Sequence, residues 1–412
     1  MKLALIRRQF SATGGAELYL QRLLQALAQR GHELHLFAEA WDEKPAGVAL
    51  HPVRAAGSRA EKPLRFAAAV EQQLARERCD CVFSLERTLR QDVYRAGDGV
   101  HRVWLERRRQ FASWWQRPFI GRGKFHLNML RLENETFHPR NTHHVIANSE
   151  MVKREILEYF SFPEERIHLV RNGVEIGRFQ TTNRAAARAR FGFGLDDYAL
   201  LFVGSGWERK GLKFLLRAMR HFHGNESLQA LVERMRALRE ATLKGGVLGG
   251  LVKELLQPGE TEQELMAHLE AAKPPTGIKL LVVGKGKQPL DAPPNVLFAG
   301  PMTNVELAYA AADLFVFLPI YEPSANVVVE ALAAGLSVVT TAQNGASELV
   351  EERVSGSVLD DPTDTARVVQ TIAYWCSRRF HAPPVRAADL SLERNVAETL
   401  AILELAAKEK IG

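Results

Sequence analysis

The stretch Tyr321-Glu322-Pro323-Ser324-Ala325-Asn326-Val327-Val328-Val329-Glu330-Ala331-Leu332-Ala333-Ala334-Gly335 sets two carboxylates eight residues apart around the start of an apolar run. Residues 313–319 read as a strand, and Glu322 falls in the loop that follows it. Residues 326–334 read as a short buried helix, with Gly335 at the left-handed position beyond its end and a further strand at 337–341. A helix start points free N–H groups outward and favours an anion, so the amides near Asn326 and Val327 suit a phosphate. Glu322 stands in front of that position and Glu330 lies further along the helix. An acid on each side of a phosphate suits a sugar nucleotide, which carries hydroxyls on both sides of its pyrophosphate. The same spacing also fits an ordinary strand–loop–helix–strand unit with two solvated glutamates.

Outward from this stretch the chain repeats the pattern. A strand at 2–7 leads through Gly14 and Gly15 into an amphipathic helix that ends near Arg30, and Gly31 closes it before a strand at 33–38. This is the opening of a doubly wound parallel sheet. The glycine pair permits either a tight turn or close approach of a ligand, and the third glycine of a dinucleotide fingerprint is missing. A strand-like run at 79–84 precedes Gln91-Asp92-Val93-Tyr94-Arg95-Ala96-Gly97-Asp98-Gly99, where Asp98 beside glycines reads first as a turn residue. Residues 142–149 read as a strand with an N-cap, and a helix follows at 150–160. A second sheet begins with a strand at 198–203. It runs into Gly204-Ser205-Gly206-Trp207-Glu208-Arg209-Lys210-Gly211, where glycines followed by Arg209 and Lys210 at a helix start form an anion cradle or a plain basic loop.

With 412 residues, 46% hydrophobic and 25% charged, the chain has the size and composition of a two-domain globular protein. A net charge of +6 favours an anionic partner. Cys79, Cys81 and Cys376 are too few and too irregularly spaced for a disulfide framework or a zinc site, and are expected as buried thiols in a reducing compartment. The apolar start is interrupted by Arg7-Arg8, so it is expected to be a strand rather than a signal peptide. No apolar run approaches the ~20 residues of a membrane span. No two aspartates are separated by a single residue, so the Asp-x-Asp metal motif is absent and no metal or cofactor is expected.

Between His101 and Phe125 the composition changes. Arg102, Arg107, Arg108, Arg109, Arg117, Arg122 and Lys124 interleave with Trp104, Phe111, Trp114, Trp115, Phe119 and Phe125, and Glu106 is the only acid. Aromatic rings that enter a headgroup layer beside cations that meet anionic lipid point to a membrane surface. A groove for single-stranded nucleic acid has similar residues, as does a basic loop whose tryptophans turn into the core. Of these, the membrane is the expected partner.

The 321–335 stretch, together with Thr340-Thr341-Ala342-Gln343-Asn344-Gly345-Ala346-Ser347-Glu348-Leu349, resembles the E-x7-E region of retaining glycosyltransferases of family 4. Asp92-Val93-Tyr94 with Asp98, and Val170-Arg171-Asn172-Gly173-Val174-Glu175, are similar to the lipopolysaccharide-core glucosyltransferase I type. The resemblance implies a GT-B fold: two Rossmann-like parallel-sheet domains, 1–180 and 181–390, facing across a cleft, with a hinge near 177–182. A C-terminal helix, 391–408, packs back on the first domain. It assigns Glu322 to donor-sugar hydroxyls, Glu330 to the ribose, Arg209 and Lys210 to the pyrophosphate, Gly14 and Gly15 to the neighbourhood of the donor phosphates, and the strand near 295–300 to the uracil. Asp98 is assigned to the reacting sugar, and the Trp104–Lys124 region to the membrane. The implied activity is metal-independent transfer of a hexose, glucose, from a UDP-sugar to a lipopolysaccharide inner-core heptose or similar glycolipid, on the inner face of the cytoplasmic membrane and without nucleic acid. Another nucleotide sugar (UDP-GlcNAc, UDP-galactose or GDP-mannose) on another glycan is the alternative within the fold. A non-catalytic basic protein for membrane or nucleic acid is the alternative outside it. Residues 225–275 depart from the family and read as a helical insertion.

Overall fold

Short runs rich in Leu, Val, Ile and Phe, separated by helical stretches, can be buried on both faces only if helices cover both sides of a parallel sheet. The computed structural model describes residues 1–9, 15–40, 47–194, 196–222, 277–376, 378 and 387–411. Gly14 and the expected insertion at 225–275 lie outside the described residues. The chain forms two compact units: Met1–Gly173 with Tyr321–Asn326 and Ser391–Gly412, and Val174–Ile320 with Val327–Leu390.

The first unit carries a sheet of seven parallel strands: β1 (Lys2–Ile6), β2 (Glu33–Ala38), β3 (Val48–Pro52), β4 (Cys81–Ser84), β5 (Gln91–Arg95), β6 (Thr142–Ala147) and β7 (Ile167–Leu169), in the order β3-β2-β1-β4-β5-β6-β7. The second carries six: β8 (Asp197–Val203), β9 (Gly277–Val283), β10 (Val296–Gly300), β11 (Leu314–Val316), β12 (Ser337–Thr341) and β13 (Gly356–Leu359), in the order β10-β9-β8-β11-β12-β13. Both orders reverse direction at the first strand of their unit, beside β1 and β8, and each reversal opens a crevice at the carboxyl ends of the strands. This is the GT-B arrangement of two doubly wound sheets.

The Leu392–Ile411 helix belongs to the first unit. Leu403, Ala406 and Ala407 enter the core formed by Leu3, Leu5, Leu20 and Leu24. Polar ties hold both of its ends: Asn395 Nδ2 donates to the Arg171 carbonyl at 2.6 Å, and Lys410 meets Asp92 Oδ2 at 2.8 Å.

Three features differ from the pattern of the sequence or add to it. The first unit ends at Gly173 rather than near 180, and the expected hinge is the Ile176–Gln180 helix, whose Phe179 is buried edge-on against Tyr309, 5.4 Å between centroids. Tyr321–Asn326 groups with the first unit, so Glu322 and Asn326 leave the donor domain expected for them. The Asp-Val-Tyr stretch, to which the sequence assigned no element, is β5, buried along its whole length despite Gln91, Asp92 and Arg95. Burial is tolerated there because each polar side chain finds a partner: Asp92 Oδ2 accepts from Val82 N at 2.8 Å, and Arg95 Nη2 donates to Asn172 Oδ1 at 2.6 Å.

In the second unit, Gly211 has φ +73°, and a Cβ built there would lie 1.6 Å from the Leu318 carbonyl oxygen. Gly211→Ala would add the left-handed cost to that collision. We expect a loss of at least about 2 kcal/mol, read as a lowered Tm; an unchanged Tm would show that the 204–211 loop can move away from β11.

Candidate active site

The polypeptide leaves β8 through Gly204 and Gly206, with φ +154° and +75°, which turn the chain sharply toward the Leu212–His221 helix. Close packing fixes the turn. A Cβ on Gly204 would lie 2.6 Å from Lys210 Cδ, and one on Gly286 would enter the Trp207 indole at 2.5 Å. Trp207 Nε1 donates to the Gly204 carbonyl at 2.9 Å, and its ring lies 5.6 Å from that of Phe298 on β10. Lys210 Nζ sits 5.8 Å from the Phe317 ring centroid. Ile320 N donates to the Arg209 carbonyl at 3.0 Å, which ties the turn after β8 to the segment after β11. Arg209 and Lys210, both half-buried, therefore lie at the crevice where the strand order reverses. They occupy the turn before the helix rather than its first residues, since Gly211 intervenes.

Glu330 lies on the Asn326–Ala333 helix, and Gly335 beyond it has φ +74° as expected of a left-handed terminator. Glu330 Oε2 accepts from the Tyr309 hydroxyl at 2.7 Å. Burial, with Glu330 beside it, pushes the Tyr309 hydroxyl well above its usual pKa, so it stays a donor at all ordinary pH. Val327 opens the second unit's share of this helix, whereas Asn326 belongs to the first unit.

In the first unit Asp98 is exposed on the loop that follows β5. Four hydrogen bonds shape that loop. Gly97 N donates to Arg95 O at 2.8 Å and Gly99 N to Ala96 O at 3.1 Å. Arg87 Nη2 donates to Gly99 O at 2.6 Å and Asn148 Nδ2 to Gly97 O at 3.3 Å. Arg87 is buried and paired with buried Glu133 at 3.2 Å. Glu133 also accepts from His101 N and Arg102 N at 2.5 and 3.1 Å. It thereby caps the His101–Gln110 helix, whose own N-cap residue, Val100, offers no side-chain oxygen. Burial, with Arg87 and His126 nearby, lowers the His101 pKa to about 3, so the imidazole that meets His126 Nδ1 at 3.0 Å is neutral. At the reversal of this sheet Arg7 pairs with Glu86 at 3.4 Å, and burial pushes the Glu86 carboxyl up. Gly15 begins the Gly15–Gln29 helix, while its expected companion Gly14 is not described.

The basic aromatic region begins as the His101–Gln110 helix and then turns outward. Trp114, Trp115, Phe119 and Leu127 are 81, 57, 73 and 55% exposed. Arginines brace the protruding turn: Arg109 donates to Ile120 O at 3.0 Å and Arg117 Nε to Ala112 O at 3.2 Å. Arg107 and Arg108 are half-buried on the helix above. Trp104 is a correction to the expected membrane set. It is half-buried, tilted against Tyr321 with ring centroids 6.5 Å apart, and Arg108 lies 6.0 Å from its ring. It sits one turn beyond Val100, on the face the helix turns to the core. Among the described residues no helix is long and apolar enough to cross a membrane.

Sequence reasoning did not find Arg87, Glu133, Glu155 or the role of Tyr321. The available signal was a set of isolated charges inside otherwise apolar stretches, which does not name partners.

Comparison with known proteins agrees with this arrangement. Residues 13–178 match the family described as Glycosyltransferase Family 4, and 261–377 match Glycosyl transferases group 1. The chain thus carries domains that match these two glycosyltransferase families, on a GT-B fold. It is similar to a D-inositol 3-phosphate glycosyltransferase of Nocardioides sp., 30% identical over 274 residues, which are 64% of this chain and 54% of that protein. The chain thus spans about half the length of that relative. The protein of the same description from Thermobifida fusca is 27% identical over 419 residues, 94% of this chain and 88% of its own. Among solved structures, WaaG, a glycosyltransferase involved in lipopolysaccharide biosynthesis, superposes with TM-score 0.69 at 20% identity, covering 99% of this chain and 98% of its own. Anabaena HepE in complex with UDP and glucose gives 0.62 at 17%, covering 97% and 99%.

One titration follows from the site. Burial raises the Glu155 pKa to about 7, against the hydrogen bond from Tyr321 and the charge of Arg107, with Glu133 and Glu158 adding to the rise. A carboxyl raised above its unfolded value stabilises below that unfolded value, near 4.5, and loses the contribution as pH climbs through 7. Glu155→Gln removes the charge. Its Tm relative to the natural protein should therefore rise between pH 5 and about pH 8. Parallel Tm–pH curves for the two proteins would contradict the assignment.

Proposed function

We propose that the protein transfers a hexose, glucose, from UDP-glucose to an inner-core heptose of lipopolysaccharide or a similar glycolipid, with retention and without a metal ion. The observation that carries the reading is the Arg209–Lys210 turn at the reversal point of the second sheet, in a chain whose E-x7-E acids follow the next strand of that reversal. Departure of UDP breaks the bond between the sugar's anomeric carbon and the phosphate oxygen, and negative charge grows on that oxygen. Arg209 and Lys210 offset it as charge-assisted donors. Glu330, already oriented by the Tyr309 hydroxyl, has acceptor capacity for a ribose hydroxyl as well. Glu322 takes donor-sugar hydroxyls, and Asp98 the sugar or acceptor. The acceptor oxygen bonds to the anomeric carbon on the face that UDP leaves, and its proton passes to the departing phosphate. The solved relative in complex with UDP and glucose supports this donor.

The exposed Trp114, Trp115, Phe119 and Leu127 with Arg109 and Arg117 support a lipid-borne acceptor and a peripheral position on an anionic membrane. A second reading has its own support. The relative at 30% identity is described by a soluble acceptor, D-inositol 3-phosphate. Donor hydrolysis and transfer should be measured with UDP-glucose, UDP-galactose, UDP-GlcNAc and GDP-mannose, each against heptose-bearing core oligosaccharide and D-inositol 3-phosphate. Turnover confined to the inositol acceptor would select the second reading. Absence of UDP binding by calorimetry would leave a basic, non-catalytic surface protein.

Arg209→Ala and Lys210→Ala should each weaken UDP binding by roughly ten-fold or more, the equivalent of one charge-assisted hydrogen bond of about 1.5–3 kcal/mol. Unchanged affinity in both would remove the pyrophosphate assignment.

The surface reading has a separate test on anionic vesicles at two salt concentrations. Arg107, Arg108 and Arg109 changed together to Ser should abolish mainly the salt-sensitive binding, and Trp114 and Trp115 changed to Ser mainly the salt-resistant remainder. Hydrolysis of a soluble donor should stay as it was. Equal sedimentation of all three proteins would exclude the membrane, and capture by a single-stranded oligonucleotide alone would favour nucleic acid.

A further inference from the structure

The segment Tyr321–Asn326 belongs to the first unit, and its contacts there are polar, buried and specific. Tyr321 is 1% exposed; its hydroxyl accepts from Val100 N at 2.8 Å and donates to Glu155 Oε2 at 2.7 Å. The Pro323 carbonyl accepts from Ser149 Oγ at 2.7 Å, and Ser149 Oγ, itself accepting from Val152 N at 3.2 Å, caps the Glu150–Phe160 helix. Asn172 Nδ2 donates to the Ser324 carbonyl at 3.0 Å and to Asn326 Oδ1 at 2.6 Å. The Arg95 guanidinium, donating to Asn172 Oδ1 at 2.6 Å, fixes which way that amide faces. Gly99 leaves room for the segment: a Cβ there would lie 2.3 Å from the Tyr321 hydroxyl and 2.6 Å from Pro323 Cγ.

We infer that Val100, Ser149, Glu155 and Asn172 form a latch that closes on Tyr321, Pro323, Ser324 and Asn326 and so positions Glu322 for glycosyl transfer. The inference rests on the proposed function only for what Glu322 then does. Val100, Ser149 and Asn172 follow β5, β6 and β7 in turn, so the latch is built from the carboxyl ends of three consecutive parallel strands. That is the edge at which such sheets hold ligands. Here it holds a stretch of the chain itself, and bonds fall on both sides of Glu322, at Tyr321 and at Pro323. The loop bearing Asp98 abuts the same two residues through Gly99. One latch thus brings together the two loops that carry the acids assigned to the reacting sugar, Asp98 and Glu322. It also gives Ser149 a role besides its N-cap and gives one to Asn172. Buried hydrogen bonds to groups anchored on the sheet hold a side chain to within the ~0.5 Å that catalysis demands, and a displacement of ~1 Å can cost ~100-fold in rate.

The test uses the full chain and two readouts. Tyr321→Phe keeps the ring on Trp104 and removes the hydroxyl bridge; Asn172→Asp removes the donor to Ser324 and Asn326. In both, amide exchange across 322–326 should accelerate by about ten-fold or more, while exchange in β6 stays as in the natural protein. Turnover of the donor should fall by about 10–100-fold with UDP affinity unchanged. Ser149→Thr, which keeps the hydroxyl, should restore what Ser149→Ala loses; this pair carries the test if Tyr321→Phe fails to fold. Unchanged exchange across 322–326 overturns the latch. Faster exchange with undiminished turnover overturns the positioning of Glu322. A natural protein that turns over no donor defeats the proposed function, and the exchange measurement still decides the latch.

Discussion

Parallel pairing is the constraint on which everything else rests. Strands that run the same way need crossovers, and crossovers bring every strand's carboxyl end to one edge of its sheet. In the first unit that edge gathers the Asp98 loop after β5, Ser149 after β6 and Asn172 after β7. In the second it gathers the 204–211 turn after β8 and the segment after β11, joined by the bond from Ile320 N to Arg209 O. Chemistry-bearing residues far apart in the sequence become neighbours because the topology allows them one place to be.

Support for that edge comes from charges buried behind it. Arg87 and Glu133 form a pair that is almost wholly inaccessible, and each also serves the backbone: Arg87 holds Gly99 and Glu133 caps the His101–Gln110 helix. A buried ion pair adds little stability in itself, but loss of one partner strands a charge at a cost of about 3–5 kcal/mol. Such a pair fixes geometry more than it stabilises. The neutral His101–His126 contact beside it adds hydrogen bonding without further charge.

The His101–Gln110 helix connects two kinds of surface. Its first turn meets Tyr321 through Val100 and Trp104, and beyond its last turn the chain presents Trp114 and Trp115 to solvent. Exposed aromatic side chains of this size are what the proposed membrane contact would use. Trp104 and Trp114 are ten residues apart in one basic aromatic stretch, yet one ring is packed and the other is bare.

The sequence by itself determined the two sheets, most strand positions, the glycine-terminated helix that bears Glu330 and the resemblance to glycosyltransferases. Continuous apolar runs of strand length, helices between them and glycines at left-handed positions are local signals, and the chain carries them intact. Helix 150–160 and strands 33–38 and 337–341 lie where the pattern put them. What lay beyond it was long-range. β5 is disguised by Gln91, Asp92 and Arg95, whose partners are Thr88 and Thr142, Val82 and Lys410, and Asn172. Trp104 reads like Trp114 until the helix has a buried face. Glu322 reads as part of one strand–loop–helix unit with Glu330, while hydrogen bonds from Val100, Ser149 and Asn172 place its segment with the first unit. Only the tertiary structure decided these, because a polar group's buried partner depends on which strands become neighbours, and no local pattern of residues encodes that.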